Sequence, residues 1–357
     1  MSPGTNREDR PLTAEAAQPA PHGWASLSDE ALLGVRLRDL GVTIESSPWL
    51  SARIGQLCRE LEDQGFRFRP HFWLSDEWFT ADRTTGIAIP FYLTHPRLAK
   101  LEESQMLEVE GGTPEWCMRI LRHETGHAID NAYRLQRRPR RQELFGRSSV
   151  PYPQDYTPRP YSRSFVLHLE SWYAQSHPSE DFAETFAVWM TPDSQWRTRY
   201  AGWPALRKLE YLDQLMHEIA ARDQVVAPGK AVDPLNRIRR TLRTHYQRKR
   251  AKYGADYPDF YDRDLRRLFS NDPRFAGNRS AVDFLARVRK EVRRRVARYT
   301  GEKQYTVDQV IEKIAARCQA LGLRLASPEE AALLDFTALL TAQTVNHLHS
   351  GRQRLAL

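Results

Sequence analysis

The pentapeptide His123-Glu124-Thr125-Gly126-His127 constrains this chain more than any other stretch of it. On a helix, residues four apart lie one turn above each other on the same face, so His123 and His127 can direct ring nitrogens at one ion. Glu124, rotated from them by about 100°, reaches a water on that ion without ligating it. Two neutral imidazoles, an open coordination position and a carboxylate to accept a proton are what a zinc hydrolase requires. The plain alternative is a surface helix carrying two solvated histidines. The flanking residues argue against it. Thr113-Pro114-Glu115 opens a helix with a capping threonine and a proline at the first helical position, and the spacing predicts a helix over 113–133 through Trp116, Ile120 and Ile129. Gly126 inside that helix costs about 1 kcal/mol relative to alanine. A glycine between two histidines suits close packing against another element better than a solvated face.

Zinc needs a third protein ligand. The metzincin extension H-E-x-x-H-x-x-G-x-x-H is excluded, because Asp130 and Tyr133 stand where its glycine and third histidine would be. A carboxylate from a second helix remains. Pro178 and Ser179 start a predicted helix in which Glu180 and Glu184 share one face, with Phe182, Phe186 and Trp189 on an apolar side. Glu180 can bind the ion while Glu184, one turn on, hydrogen-bonds a ligating imidazole. An acidic first turn favoured by the helix dipole accounts for Glu180 and Asp181 but not for Glu184. Should Glu180 not ligate, Asp181, Glu184 and His177 are the next donors to consider.

The HExxH helix followed by Glu180-Asp181-Phe182-Ala183-Glu184-Thr185-Phe186-Ala187 resembles the gluzincin metallopeptidases. In particular it is similar to a family of zinc-binding metallopeptidases that carry an H-P-x-E-D-x-A-E-x-F-A segment, here beginning at His177. A more distant similarity is to the catalytic domain of anthrax lethal factor. The resemblance is specific over residues 70–190, loose before them and absent after residue 225. It implies an α+β, zincin-like catalytic domain, a small mixed sheet with active-site helices. It also implies one Zn²⁺ per chain on His123, His127 and Glu180, with Glu124 as general base and Glu184 beside a ligating imidazole. In lethal-factor-like proteins a tyrosine seven residues before the ligand glutamate assists the transition state; Tyr173 holds that position and is implied as a donor to the oxyanion. The alternative for Tyr173 is an aromatic packed beside Trp172. Asp130 and His177 are expected, with Glu184, among the residues that orient the ligands.

The rest of the chain organises around that site. Residues 1–26, rich in Pro, Ala and polar residues, read as a disordered tail without the apolar stretch of a secretory signal. Residues 27–225 are the expected catalytic domain. It opens with helix-rich sequence to Gly65, interrupted by a short strand at Val42-Thr43-Ile44. Strands follow over Arg67–Phe79 and Gly86–Leu93. Pro90 confines the second of these to a sheet edge, where an extended peptide can pair with it, unless the proline serves only to protect the edge. The basic run Arg137-Arg138-Pro139-Arg140-Arg141 reads as a solvated helix end or a contact for an acidic substrate. Ser148 to Arg163, with four prolines and three tyrosines, reads as a long ordered loop that walls the cleft; which tyrosine touches substrate is not legible. An amphipathic helix over Trp196–Ala221 closes the domain.

Val225 to Pro234 reads as a linker, and the charge changes sign across it: residues 1–227 carry a net −5 and residues 228–357 a net +13. Residues 226–357 are therefore expected to form a basic, mostly helical domain. Its Arg/Lys segments alternate with Ile238, Leu242, Tyr246, Val288, Val292 and Val296, the pattern of amphipathic helices with basic outer faces. Clustered Lys/Arg can attract the phosphates of a nucleic acid, but no nucleic-acid-binding module is recognisable, and an acidic partner or substrate fits the charge better. Three widely spaced cysteines, Cys58, Cys117 and Cys318, suggest reduced thiols and a cytoplasmic protein, and no apolar run is long enough to span a membrane. Three functions fit: a metallopeptidase, a zinc hydrolase or amidase acting on a non-protein or acidic polymer, and a non-catalytic zinc-containing protein that binds through its basic domain. The intact Glu124 argues against the third, since a site without catalysis has no need of the base.

Overall fold

The computed structural model describes residues 10–14, 22–153, 156–253 and 262–349. Among them the fold is mostly helical with two small sheets, which is the coarse α+β architecture expected, and no described helix is long and apolar enough to cross a membrane. Two compact units are present, the first made of residues up to 153 and 158–247, the second of 154–157 and 248 onward.

In the first unit, α1 (Asp29–Leu33) and α2 (Pro48–Asp63) precede β1 (His71–Ser75) and β2 (Gly86–Pro90). The strands pair in parallel, His71 opposite Gly86 through Ser75 opposite Pro90. Then come α3 (Pro96–Met106), α4 (Pro114–Ala132), α5 (Pro139–Phe145), α6 (Pro178–Met190), α7 (Trp196–Arg199) and α8 (Ala205–Ile219). β2 is an end strand of its two-stranded sheet, but all five of its residues are buried and an isolated bridge joins Phe79 to Ala88, which leaves little open edge for a peptide. Val42-Thr43-Ile44 is no strand either. Thr43 and Ser46 bond reciprocally, Thr43 N–H to Ser46 Oγ at 3.1 Å and Ser46 N–H to Thr43 Oγ1 at 3.2 Å, a local turn that takes the backbone groups a ladder would need.

Part of the segment read as a disordered tail is packed. Leu12 is fully buried and its N–H donates to Gly112 O at 3.0 Å, while Trp24 is buried and its Nε1 donates to Leu40 O at 2.8 Å. Residues 1–9 and 15–21 lie outside the described residues. The 225–234 segment is likewise pinned to the first unit: Val225 and Val226 N–H donate to Ala132 O, and Trp73 Nε1 to Val232 O. Leu37 N–H to Arg240 O and Leu242 N–H to Val35 O then tie the following residues to the opening segment. The division consequently falls at 247/248, within α9 (Leu242–Tyr253), about twenty residues beyond the change of charge.

The second unit holds α10 (Asp262–Leu268), β3 (Phe269–Ser270), α11 (Ala281–Thr300), α12 (Gln304–Ala320), β4 (Arg324–Leu325) and α13 (Glu329–His349), with β3 antiparallel to β4. Phe284, Val288, Val292 and Val296 of α11 meet Val307, Ile311, Ile314, Phe336 and Leu340 in its core. Its basic helices are partly neutralised from within, because Arg289 and Arg293 both pair with buried Asp308. The three cysteines are free.

Candidate metal centre

Two helices build the site. Thr113 caps α4, its side chain accepting from Trp116 N–H with Pro114 in the first turn. His177 caps α6, its Nδ1 accepting from Ser179 N–H at 3.1 Å. The helices meet where each has a small residue: a Cβ built on Gly126 would lie 2.8 Å from Ala183 Cα and 3.1 Å from Phe186 Cβ. The close packing inferred for this glycine is what the structure contains.

That approach brings His123, His127 and Glu180 together, one donor atom of each lying within 4.8 Å of the others. Glu180 Oε2 is 3.0 Å from His123 Nε2 and 3.1 Å from His127 Nε2, and the two Nε2 atoms are 3.2 Å apart. Donors on a tetrahedral zinc at about 2.0–2.2 Å stand about 3.3–3.6 Å from one another. Outward shifts of a few tenths of an ångström would admit the ion, and two imidazoles with one carboxylate are a donor set zinc takes. The residues present fit the metal.

Glu184 meets the other ring nitrogen of His123. Its Oε1 accepts from His123 Nδ1 at 2.8 Å and its Oε2 from Leu169 N–H at 2.8 Å. With the proton thus on Nδ1, Nε2 presents its lone pair to an ion. Glu124 is buried beside the ligands, and its Oε2 has no hydrogen-bond partner; a buried carboxylate oxygen left in that condition is costly unless something it serves completes it. The backbone carbonyl of Glu124 accepts from Thr80 Oγ1 at 3.2 Å, which fastens α4 to the loop after β1. The ring of Tyr173 lies 5.6 Å from that of His123, in a 3₁₀ turn (Glu170–Gln175) where neighbouring Trp172 adopts φ 54°. A bulky side chain in the left-handed region is strained.

Asp130 and His177, expected among the orienting residues, hydrogen-bond directly to none of the three donors. Asp130 Oδ2 accepts from Arg141 Nη2 at 2.8 Å, and both ring nitrogens of His177 are used away from the ion site, Nδ1 in the helix cap and Nε2 donating to Val150 O at 2.9 Å. Asp181, the reserve ligand, accepts instead from Lys208 Nζ of α8 at 2.6 Å. Arg141 corrects the reading of the basic run as a solvated helix end: it is fully buried, with its guanidinium over Phe145 and Phe182. Two residues near the site were not singled out beforehand. Tyr152, one of the three loop tyrosines, donates its O–H to Glu180 Oε1 at 2.7 Å. His168 Nε2 donates to Arg119 O at 3.0 Å, and burial lowers its pKa to about 4, so it is neutral. Both approach from outside the two motifs, and no local pattern marks either.

Without a cation the cluster is held by protons. Burial alone would disfavour the charged forms, but the paired carboxylates reverse this for the imidazoles: His123 is held well above its ordinary value by Glu180 and Glu184, and His127 is raised by Glu180. Burial also works against ionised Glu180 and Glu184, and the facing imidazoles win, holding Glu180 well below the carboxylate range and lowering Glu184. A cation entering the site therefore competes with a proton.

Residues 118–219 match the model of a family described as "Putative zinc-binding metallo-peptidase". The matched stretch contains the HExxH pentapeptide, all of α6 and the loop between them. No curated protein and no solved structure matches the chain.

Proposed function

We propose that the protein is a zinc-dependent peptidase of gluzincin type that hydrolyses a peptide bond with a water activated at Glu124. The observation that carries this reading is the convergence of His123 Nε2, His127 Nε2 and Glu180 Oε2 to 3.0–3.2 Å of one another beside a buried Glu124 oxygen that bonds nothing. Zinc in such a set supplies Lewis acidity and lowers the pKa of water in its open position to about 7. Glu124 accepts the proton of the attacking water and returns it to the leaving amine. Glu184 holds the His123 tautomer through both events. Tyr173 donates its phenol to the developing oxyanion, an assignment supported by the motif resemblance and by its ring beside His123. The catalytic domain is read as zincin-like, and the basic helical unit as the part that recruits an acidic partner or substrate.

Elemental analysis of the purified protein tests this directly. One zinc per chain, lost or weakened in Glu180→Ala, is expected. A chain that takes up no zinc on reconstitution sinks the proposal, and equal zinc in Glu180→Ala shows that the third ligand is another residue.

A further inference from the structure

Glu180 offers two oxygens, and the structure treats them differently. Oε2 faces both imidazole Nε2 atoms, whereas Oε1 accepts the phenol O–H of Tyr152 at 2.7 Å. A carboxylate next to a metal can chelate with both oxygens or bind through one. Binding through both takes up coordination space that a catalytic zinc site must leave open for water. We propose that Tyr152 is a positioning residue: by occupying Oε1 it restricts Glu180 to single-oxygen ligation and keeps that position open. The inference rests on the metal-site reading above.

The phenol is fixed by a closed circuit of contacts. The Tyr152 ring stacks on His177 with centroids 3.7 Å apart and planes at 18°. His177 is itself fixed at both nitrogens, accepting from Ser179 N–H and donating to Val150 O at 2.9 Å. His177 and Ser179 belong to the start of α6, the helix that carries Glu180. The loop backbone, the helix cap, the stacked ring and the ligand carboxylate thus hold one another. Pro151 and Pro153 flank the tyrosine; they fix two φ angles and bias Tyr152 to extended backbone, reducing the entropy lost in presenting the phenol. The same geometry explains why His177, expected to help orient the ligands, bonds to none of them: it acts on Glu180 through Tyr152.

Titration of cobalt(II) into the metal-free full-length protein tests this, because its visible bands are intense in four-coordinate sites and weaken at higher coordination. Tyr152→Phe keeps the ring and the stack while removing the one hydroxyl. We expect metal binding weakened by about 10–100-fold, the usual effect of losing a residue that supports a ligand, together with weaker visible bands as Oε1 joins the metal. Tyr161→Phe, at a side chain 96% exposed, should change neither. Wild-type band intensity in Tyr152→Phe overturns the inference, whatever its affinity, and leaves the metal site standing. A wild-type chain that takes up no cobalt overturns both.

Discussion

Gly126→Ala adds a single methyl at the point where α4 meets α6, and the structure sets the sign of its effect. The new Cβ would lie 2.8 Å from Ala183 Cα, 3.1 Å from Ala183 O and 3.1 Å from Phe186 Cβ. Two of these atoms are backbone and the third is fixed to it, so no rotamer change relieves the clash. Overpacking of this kind costs about 1–3 kcal/mol, against which alanine regains about 1 kcal/mol of helix propensity. A net destabilisation of up to about 2 kcal/mol follows. Gly55→Ala calibrates the estimate. Gly55 lies inside α2 and its Cβ would meet only the flexible end of Arg59 at 3.5 Å, so propensity acts alone and stabilises by about 0.5–1 kcal/mol. Both glycines belong to the first unit, and urea unfolding of chelator-treated protein should move the same transition in opposite directions with little change in slope. Because α4 and α6 carry the candidate ligands between them, Gly126→Ala should also bind zinc more weakly than Gly55→Ala. If both variants gained stability alike, the argument for a backbone-limited contact would be refuted.

Other consequences follow from the same geometry. Glu124→Gln should keep its zinc, since Glu124 is not among the converging donors, while peptide hydrolysis falls by about 10²–10⁴-fold; a variant that turns over at the wild-type rate removes the base assignment. Stability should depend on pH in opposite ways with and without zinc. In the metal-free chain His123 is raised above its ordinary 6.5 and Glu180 lowered below 4.5. The His123 contribution is therefore full below pH 6.5 and lost as pH rises through its folded value, while that of Glu180 is present above pH 4.5 and lost as pH falls. Zinc displaces the imidazole protons, so the melting-temperature gap between zinc-loaded and chelated protein should widen from pH 6 to pH 8; a constant gap contradicts the shared site. Arg141→Met strands the buried Asp130 carboxylate and should destabilise by about 3–5 kcal/mol. Adding Asp130→Asn should recover part of that loss, and strictly additive losses in denaturant unfolding would show that the two residues do not act as a pair.

What the sequence disclosed was what short-range chemistry determines. The capped start of α4, the proline-led start of α6 and the i, i+4 pairs His123/His127 and Glu180/Glu184 are contained within single helical turns, and each is found where its spacing placed it. What escaped is set by contacts between distant segments. Tyr152 meets Glu180 across 28 positions and Leu12 meets Gly112 across a hundred; neither has a periodic neighbour to announce it. Arg141 was misread because a basic run normally stays in water, and only the fold shows one of its members enclosed between Asp130 and two phenylalanine rings. Pro90 indicated an edge and β2 is an end strand, yet its residues are buried and Phe79 bridges to it at Ala88.

The two motifs are better understood as one packing pattern used twice. Along α4 the residues at i, i+3, i+4 and i+7 from His123 are His, Gly, His and Asp; along α6, counting from Glu180, they are Glu, Ala, Glu and Ala. Each series lies on a single helical face, and each has a small residue between its first two polar members. Gly126 and Ala183 are the pair that touch. The small residues permit an approach close enough for Glu180 to reach both imidazoles and for Glu184 to reach the far nitrogen of one of them. A larger residue at either position would hold the carboxylates away from the histidines even with every candidate ligand intact. The glycine of H-E-T-G-H and the alanine of E-D-F-A-E thus belong to the site as fully as the donors do, since they set the distance over which the donors act.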